Sequence, residues 1–245
     1  MSLASEFQTQ GNWLFRWRSY LPLFLIALLA IATRHPHFPF DSFQVHEVWE
    51  ELCLGISFFG LFIRVFTVGF APANTSGRNT TRQIADALNT TGMYSVVRHP
   101  LYLGNFLIGL GIALVAWVWW LPAIYTLAFC LYYERIMFAE EEFLHRTFGE
   151  EFDRWAATTP AFWPRFSQWR HPALPFSLRT VLRREYTGLL VVILSHASLE
   201  MAEHVLLKNY GLQTYWLVLA AGSVGFYVLL RTLKKRTRLL DVPGR

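Results

Sequence analysis

The chain has little charge and almost no cysteine. Asp, Glu, Lys and Arg make up only 16% of its 245 residues, and there are two cysteines. A soluble domain carries roughly one-quarter charged residues, so the first shortage argues against a solvated globular protein. Cys53 and Cys130 each lie inside an apolar run with no neighbour at metal-ligand spacing. That excludes a disulfide framework and a cysteine zinc site, and both read as small buried hydrophobes. Internal repeats and low-complexity tracts are missing too, and nothing in the pattern points to nucleic acid.

What the chain does have is apolar surface: 53% hydrophobic residues, with 21 Phe and 10 Trp. A membrane span needs about 20 mostly apolar residues to cross ~30 Å of hydrocarbon. Such runs fall near 14–33, 48–70, 101–119, 121–138, 186–206 and 213–231. The expected fold is therefore all-α, a polytopic transmembrane bundle of about six spans. Pro122 breaks the third apolar stretch into a hairpin, with Trp117, Trp119 and Trp120 as an interfacial belt. Leu21–Leu29 followed by Ala30-Ile31-Ala32 also has the form of a signal-peptide core. The apolar stretch starts earlier, at Trp13, and is read as a retained span.

The net charge of +5 informs through its placement. Two Lys/Arg residues stand at the N-terminal side (Arg16, Arg18), three lie in 71–100, eight in 135–185 and six in the tail, against Arg34 and Lys208 on the other side. This asymmetry puts both termini in the cytoplasm, in a bacterial inner membrane or its equivalent. Three regions follow: a two-span part over 1–70, a core over 71–166, and a connector with two further spans over 167–245. Residues 71–91 form a polar loop rich in turn residues, with sequons at Asn74, Asn79 and Asn89 that its cytoplasmic position leaves unused. Residues 139–157 have an amphipathic helical pattern, with Phe143, Phe148, Phe152 and Trp155 on the membrane-facing side. The connector beyond Thr158 is basic, aromatic and rich in proline, suited to anionic lipid headgroups.

Polar groups able to bind a ligand stand at both feet of the hairpin. Tyr94, Arg98, His99 and Tyr102 precede or open its first arm, and Glu140-Glu141-Glu142 close its second. The run Gly92-x-Tyr94-x-x-x-Arg98-His99-Pro100-x-Tyr102-x-Gly104 resembles the signature of the isoprenylcysteine carboxyl methyltransferase superfamily, which includes phospholipid N-methyltransferases. Its second half resembles Glu140-Glu141-x-x-Leu144-x-x-x-Phe148-Gly149-x-x-Phe152-x-x-Trp155, followed by Pro160 and Pro164. The resemblance covers about residues 88–166. It implies S-adenosylmethionine as methyl donor, with Tyr94, His99, Pro100, Tyr102 and Gly104 lining the donor pocket and Glu140 and Glu141 closing it. Arg98 and His99 can meet the donor's carboxylate, and a glutamate can accept from its ammonium or ribose diol. Arg98, Glu141 and Arg64 are the candidate catalytic residues, Arg64 as an anion-holding group near the cytoplasmic end of its span. The acceptor would be a membrane lipid or a lipid-like molecule.

One position departs from the pattern. Prenylcysteine enzymes of this superfamily carry an arginine two residues before the first closing proline; here Thr158 stands there, and Arg154 and Arg165 are out of register. Membrane sterol and enone reductases that use NADPH share an Arg-His-Pro-x-Tyr-x-Gly run, but with Asn before the Tyr and an acid after the Gly. Here those positions are Leu101 and Asn105. A third reading is a silent scaffold that binds lipid through residues 158–184. Beyond the motif, His196, Glu200, Glu203 and His204 share one face of a span. They read as a polar seam against His46, Glu47, Glu50 and Glu51, with a metal site as the alternative; no metal is assigned.

The charge asymmetry generates a test of orientation. Reporter fusions at either terminus or in the 71–100 loop are expected to report cytoplasm. An external signal from that loop, or glycans on Asn79 or Asn89 in a eukaryotic host, would reverse it.

Overall fold

The computed structural model describes residues 2–32, 42–72, 75, 85–207 and 214–245. Arg34, Lys208, Asn74, Asn79 and most of the 71–91 loop lie outside the described residues. Among the described residues every regular element is helical: α1 (Leu3–Trp17), α2 (Leu21–Ala32), α3 (Phe43–Phe70), α4 (Pro100–Leu114), α5 (Trp120–Phe148), α6 (Glu150–Thr158), α7 (Leu178–Leu207) and α8 (Thr214–Arg236). Three of them are long and apolar enough to cross a membrane, over Gln44–Phe70, Leu178–Leu206 and Thr214–Arg236.

The other expected spans are reshaped, each for a local reason. The stretch near 14–33 is not one helix. α1 is capped by Ser2, whose hydroxyl accepts the Ser5 N–H at 3.3 Å, and it ends in a 3₁₀ turn at Arg18–Tyr20. Pro22 then falls in the first turn of α2, where a missing N–H costs nothing but a continuous helix from α1 is blocked. α4 has 15 residues, about 22 Å at 1.5 Å per residue, short of a full hydrocarbon crossing. The chain reverses at Trp117, which holds a positive φ of 48°, rather than at Pro122. Pro122 lies in the first turn of α5, again a tolerated place.

The amphipathic helix expected over 139–157 is likewise divided. Nothing near 139 interrupts α5, so it runs for 29 residues and carries Glu140 and Glu141 on its polar half. The break comes at Gly149, with φ 52° and ψ −125°, a conformation that L side chains rarely adopt. Its N–H closes α5 on His145 O at 2.8 Å, and α6 leaves in a new direction.

α3 and α4 cross at glycines. A Cβ on Gly60 would stand 2.5 Å from the Gly104 carbonyl oxygen, and one on Gly111 would stand 2.4 Å from that of Cys53. Backbones this close allow tight packing where water supplies no hydrophobic drive between helices. α7 packs along α3, α8 along α7, and α1 along α5. Between α4 and α5 lies an aromatic layer of Phe106, Tyr125, Phe129 and Tyr133, in which the Phe129 and Tyr133 rings stack at 4.1 Å.

A Gly60→Val substitution is expected to cost about 1–3 kcal/mol through overpacking, seen as a lower unfolding midpoint in detergent. Gly55 has nothing within 4 Å of an added Cβ, so Gly55→Ala should not lower the midpoint. Equal effects of the two would contradict the crossing.

Candidate functional site

The site begins at Gly92, whose φ of +60° opens the 3₁₀ turn Gly92–Ser95. The chain then runs beside the segment after α6. Arg98 N–H donates to Pro160 O at 2.9 Å, His99 N–H to Ala161 O at 3.2 Å, and Arg165 N–H to Val96 O at 2.9 Å. The Trp155 indole N–H of α6 donates to Tyr94 O at 2.9 Å. The closing prolines and the Arg-His pair are thus one unit, held by main-chain bonds. Pro100, fully buried, starts α4 immediately after.

Five of the expected site residues meet at this end of the hairpin. Glu141 Oε1 receives His99 Nε2 at 2.8 Å and lies 2.9 Å from Arg98 Nε. Glu140 accepts the Tyr102 hydroxyl at 2.6 Å, with His99 Nδ1 3.6 Å from its other oxygen. The His99 and Tyr102 rings stack at 5.6 Å. Arg98 Nη1 donates to Ala156 O at 2.7 Å. Its Nε is paired with Glu141 by distance but not by direction: this buried N–H makes no hydrogen bond. A site with an unspent cationic donor beside two carboxylates suits a ligand bearing both charges.

Burial alone would depress the His99 pKa, but hydrogen bonds and charge from Glu140 and Glu141 outweigh it and hold the imidazole above its ordinary 6.5. Burial would raise Glu141, yet His99 and Arg98 bring it below its ordinary 4.5.

Two further expected residues pack against other parts of the chain. Gly104, whose missing side chain lets a ligand or a neighbouring helix approach, faces α3: a Cβ there would lie 2.5 Å from Arg64 Cγ. Arg64, expected to hold a ligand anion, already grips a carboxylate of its own chain. Its Nε and Nη2 donate to the two oxygens of Glu185 at 2.9 and 3.0 Å, and Nη1 donates to Asn105 Oδ1 at 2.6 Å. This two-pronged geometry is the strong form of an arginine–carboxylate pair. Glu185 was unforeseen, although a single acid after Arg183-Arg184 at the mouth of an apolar run was the available signal. Arg18 was also missed as a site residue, having been read only as a flanking charge. Its Nη1 donates to the Tyr102 hydroxyl at 3.3 Å and lies 3.8 Å from Glu140. Thr158 turns its hydroxyl back to Trp155 O at 3.1 Å.

The fold and this charged cluster define a helical membrane protein with a polar site at one end of a hairpin. Residues 54–151 match the phospholipid methyltransferase family, which falls within the isoprenylcysteine carboxyl methyltransferase-like superfamily. The chain is similar to the nickel-cobalt-cadmium resistance protein NccN of Alcaligenes xylosoxydans xylosoxydans, 36% identical over 156 residues, which are 63% of this chain and 65% of that protein. It is also similar to the cobalt-zinc-cadmium resistance protein CzcN of Cupriavidus metallidurans, 41% identical over 85 residues, 35% of this chain and 39% of that protein. The chain therefore spans about two-thirds or less of these relatives. No solved structure matches it.

The paired shifts set a pH window. The raised His99 contributes stability that is complete below 6.5 and is lost as pH climbs through its folded-state value. The lowered Glu141 contributes stability that is complete above 4.5 and is lost as pH falls through its own. The difference in unfolding midpoint between the wild type and Glu141→Gln should be largest between these limits and shrink on either side. A difference that stays flat from acid to alkaline pH would contradict the pairing.

Proposed function

We propose that the chain is an integral membrane methyltransferase that uses S-adenosylmethionine and acts on a lipid or lipid-like acceptor at the cytoplasmic face. In this reading the chain passes the bilayer about six times, the shorter α2 and α4 and the apolar half of α5 adding to the three long spans, and both termini are cytoplasmic. The observation that carries the proposal is the family match over 54–151, which contains both the Arg98-His99 and the Glu140-Glu141 halves of one contact cluster.

The cluster fits the donor's amino-acid end. Arg98 and His99 would hold the carboxylate, and Glu140 or Glu141 the ammonium or the ribose diol. The aromatic faces of Tyr102 and His99 suit a neighbouring cation. Bound there, the donor supplies a methyl group already activated on a sulfonium. The protein's share is then orientation and exclusion of water, which the buried walls of Tyr102, Pro100 and Val97 favour. Arg64 is a positioning residue in this scheme: its hold on Glu185 ties α7 to the hairpin through Asn105, whose amide in turn reaches the Tyr133 hydroxyl at 3.4 Å.

Thr158 stands where a prenylcysteine enzyme has its carboxylate-holding arginine, so we assign the acceptor to membrane lipid. Exposed Trp163, Phe166 and Trp169 alternate with Arg165 and Arg170 on the connector, a composition that seats in a headgroup layer and attracts anionic lipid. Relatives named for resistance to nickel, cobalt, zinc and cadmium support placing the lipid methylation in a cell that resists such metals. The reductase alternative is disfavoured by Leu101 and Asn105, and by Arg64 taking up Asn105.

Calorimetric titration of the detergent-purified protein is expected to show binding of S-adenosylmethionine and none of NADPH. His99→Ala and Glu141→Ala should each weaken donor binding by about 1.5–3 kcal/mol, the worth of a hydrogen bond to a charged group. Methyl label should enter total membrane lipid rather than a farnesylcysteine analogue. Unchanged affinity in both variants would remove the pocket, and efficient turnover of the analogue with unlabelled lipid would overturn the acceptor.

A further inference from the structure

The interface of α3 with α7 carries polar contacts at successive depths. Nearest the charged cluster, Arg64 meets Glu185; further along, the Ser57 hydroxyl lies 3.1 Å from His196 Nε2; at the far end, His46 Nε2 lies 2.8 Å from Glu203 Oε2. The first contact is a complete ion pair and the second a hydroxyl–imidazole hydrogen bond. The third is different, because its members are all metal-ligating side chains.

His46 and Glu50 are four residues apart on α3 and so share one face. Glu203 comes from α7. All three are buried, at 1%, 8% and 4% exposure. Their ligand atoms lie within 4.8 Å of one another, with His46 Nε2 2.8 Å from Glu203 and 3.7 Å from Glu50. Atoms bound at about 2.0–2.1 Å around a tetrahedral ion sit about 3.4 Å apart, so these spacings bracket that value. The fully buried Glu200 lies close to Glu50 beside the group.

Charge supplies a second, independent argument. Residues 43–63 of α3 and 186–207 of α7 contain five glutamates and no lysine or arginine. Carboxylates inside apolar helices are costly and face partners or functional pathways. Here neither helix brings a fixed positive charge to them. A dication would balance two carboxylates, and the imidazole adds a ligand that magnesium and calcium do not favour.

We propose that His46, Glu50 and Glu203 form a binding site for one divalent first-row transition-metal ion, with Glu200 or water completing the shell. The site lies at the opposite end of α3 from Arg64 and its neighbours, so it is separate from the methyl-transfer site and does not depend on that reading. Ion binding releases whatever protons the ligands hold.

The test uses the full chain, purified in detergent without a histidine tag, stripped of metal and titrated with cobalt(II). The expected result is one equivalent bound, with visible d–d bands that excess magnesium does not abolish. The bands should be lost in His46→Gln and in Glu203→Gln while S-adenosylmethionine binding on the same samples is unchanged. If one variant fails to fold, the other carries the comparison. Absence of bands in the wild type would mean that protons alone occupy the cluster, and would overturn the proposal. So would bands that survive in both variants, which place the ion elsewhere, or displacement by magnesium, which denies the transition-metal class.

Discussion

The structure turns on a single carboxylate oxygen. Glu141 Oε1 pairs with His99 Nε2 at 2.8 Å and lies 2.9 Å from Arg98 Nε, one residue before and one residue at the start of α4, from a point three-quarters of the way along α5. That contact closes the hairpin at its polar end, as the turn at Trp117 closes it at the other. Because the oxygen is partly buried, its attraction for two cations is only weakly screened. The same burial would make the carboxylate costly if either cation left. Under the proposed function, a ligand with its own carboxylate and ammonium would exchange partners with this set without leaving a buried charge alone, and it is this exchangeability that would make the cluster more than a structural tie.

The hairpin reaches its neighbours in two physically different ways. Toward α3 it uses absence of side chain: Gly60, Gly104 and Gly111 let the backbones meet, and Arg64 occupies the space beside Gly104. Toward the N-terminus it uses charge: Arg18 reaches Tyr102 and Glu140 from the turn that divides α1 from α2. The cationic face of Arg18 also rests 4.0 Å from the centre of the Phe15 ring. The amphipathic first helix is thereby joined to the site through Arg18, a residue outside the segment that matches the phospholipid methyltransferase family.

Much of this was legible in the sequence because it depends on residue type and spacing. Arg98-His99 and Glu140-Glu141 were readable as two feet of one hairpin, since proline opens one arm and acids end the other. The seam of His46 with Glu203 followed in outline from four polar residues on one helical face, whereas Ser57 as the partner of His196 did not. What could not be read was set by backbone conformation or by distant partners. Nothing in Trp117 announces a positive φ, so the reversal was assigned to Pro122. Arg64 looked like a cation awaiting an anion, because its anion lies 121 residues away at the head of a different helix. Hydropathy alone also did not show where helices break: α2 begins only after the turn that places Arg18, and α4 stops before the turn at Trp117.

The main-chain pairing of residues 96–99 with 160–165 has an evolutionary consequence. The Arg-His pair is held in place by amides and carbonyls, which every residue except proline supplies equally. Side chains on the return segment, Thr158 and Arg165 among them, are then free to diverge without disturbing the bonds that seat Arg98 and His99. Such an arrangement lets a lineage change the side chains around the cluster while keeping the Arg-His pair seated, since one strip of backbone serves as a fixed rail and the exchangeable parts are mounted on it.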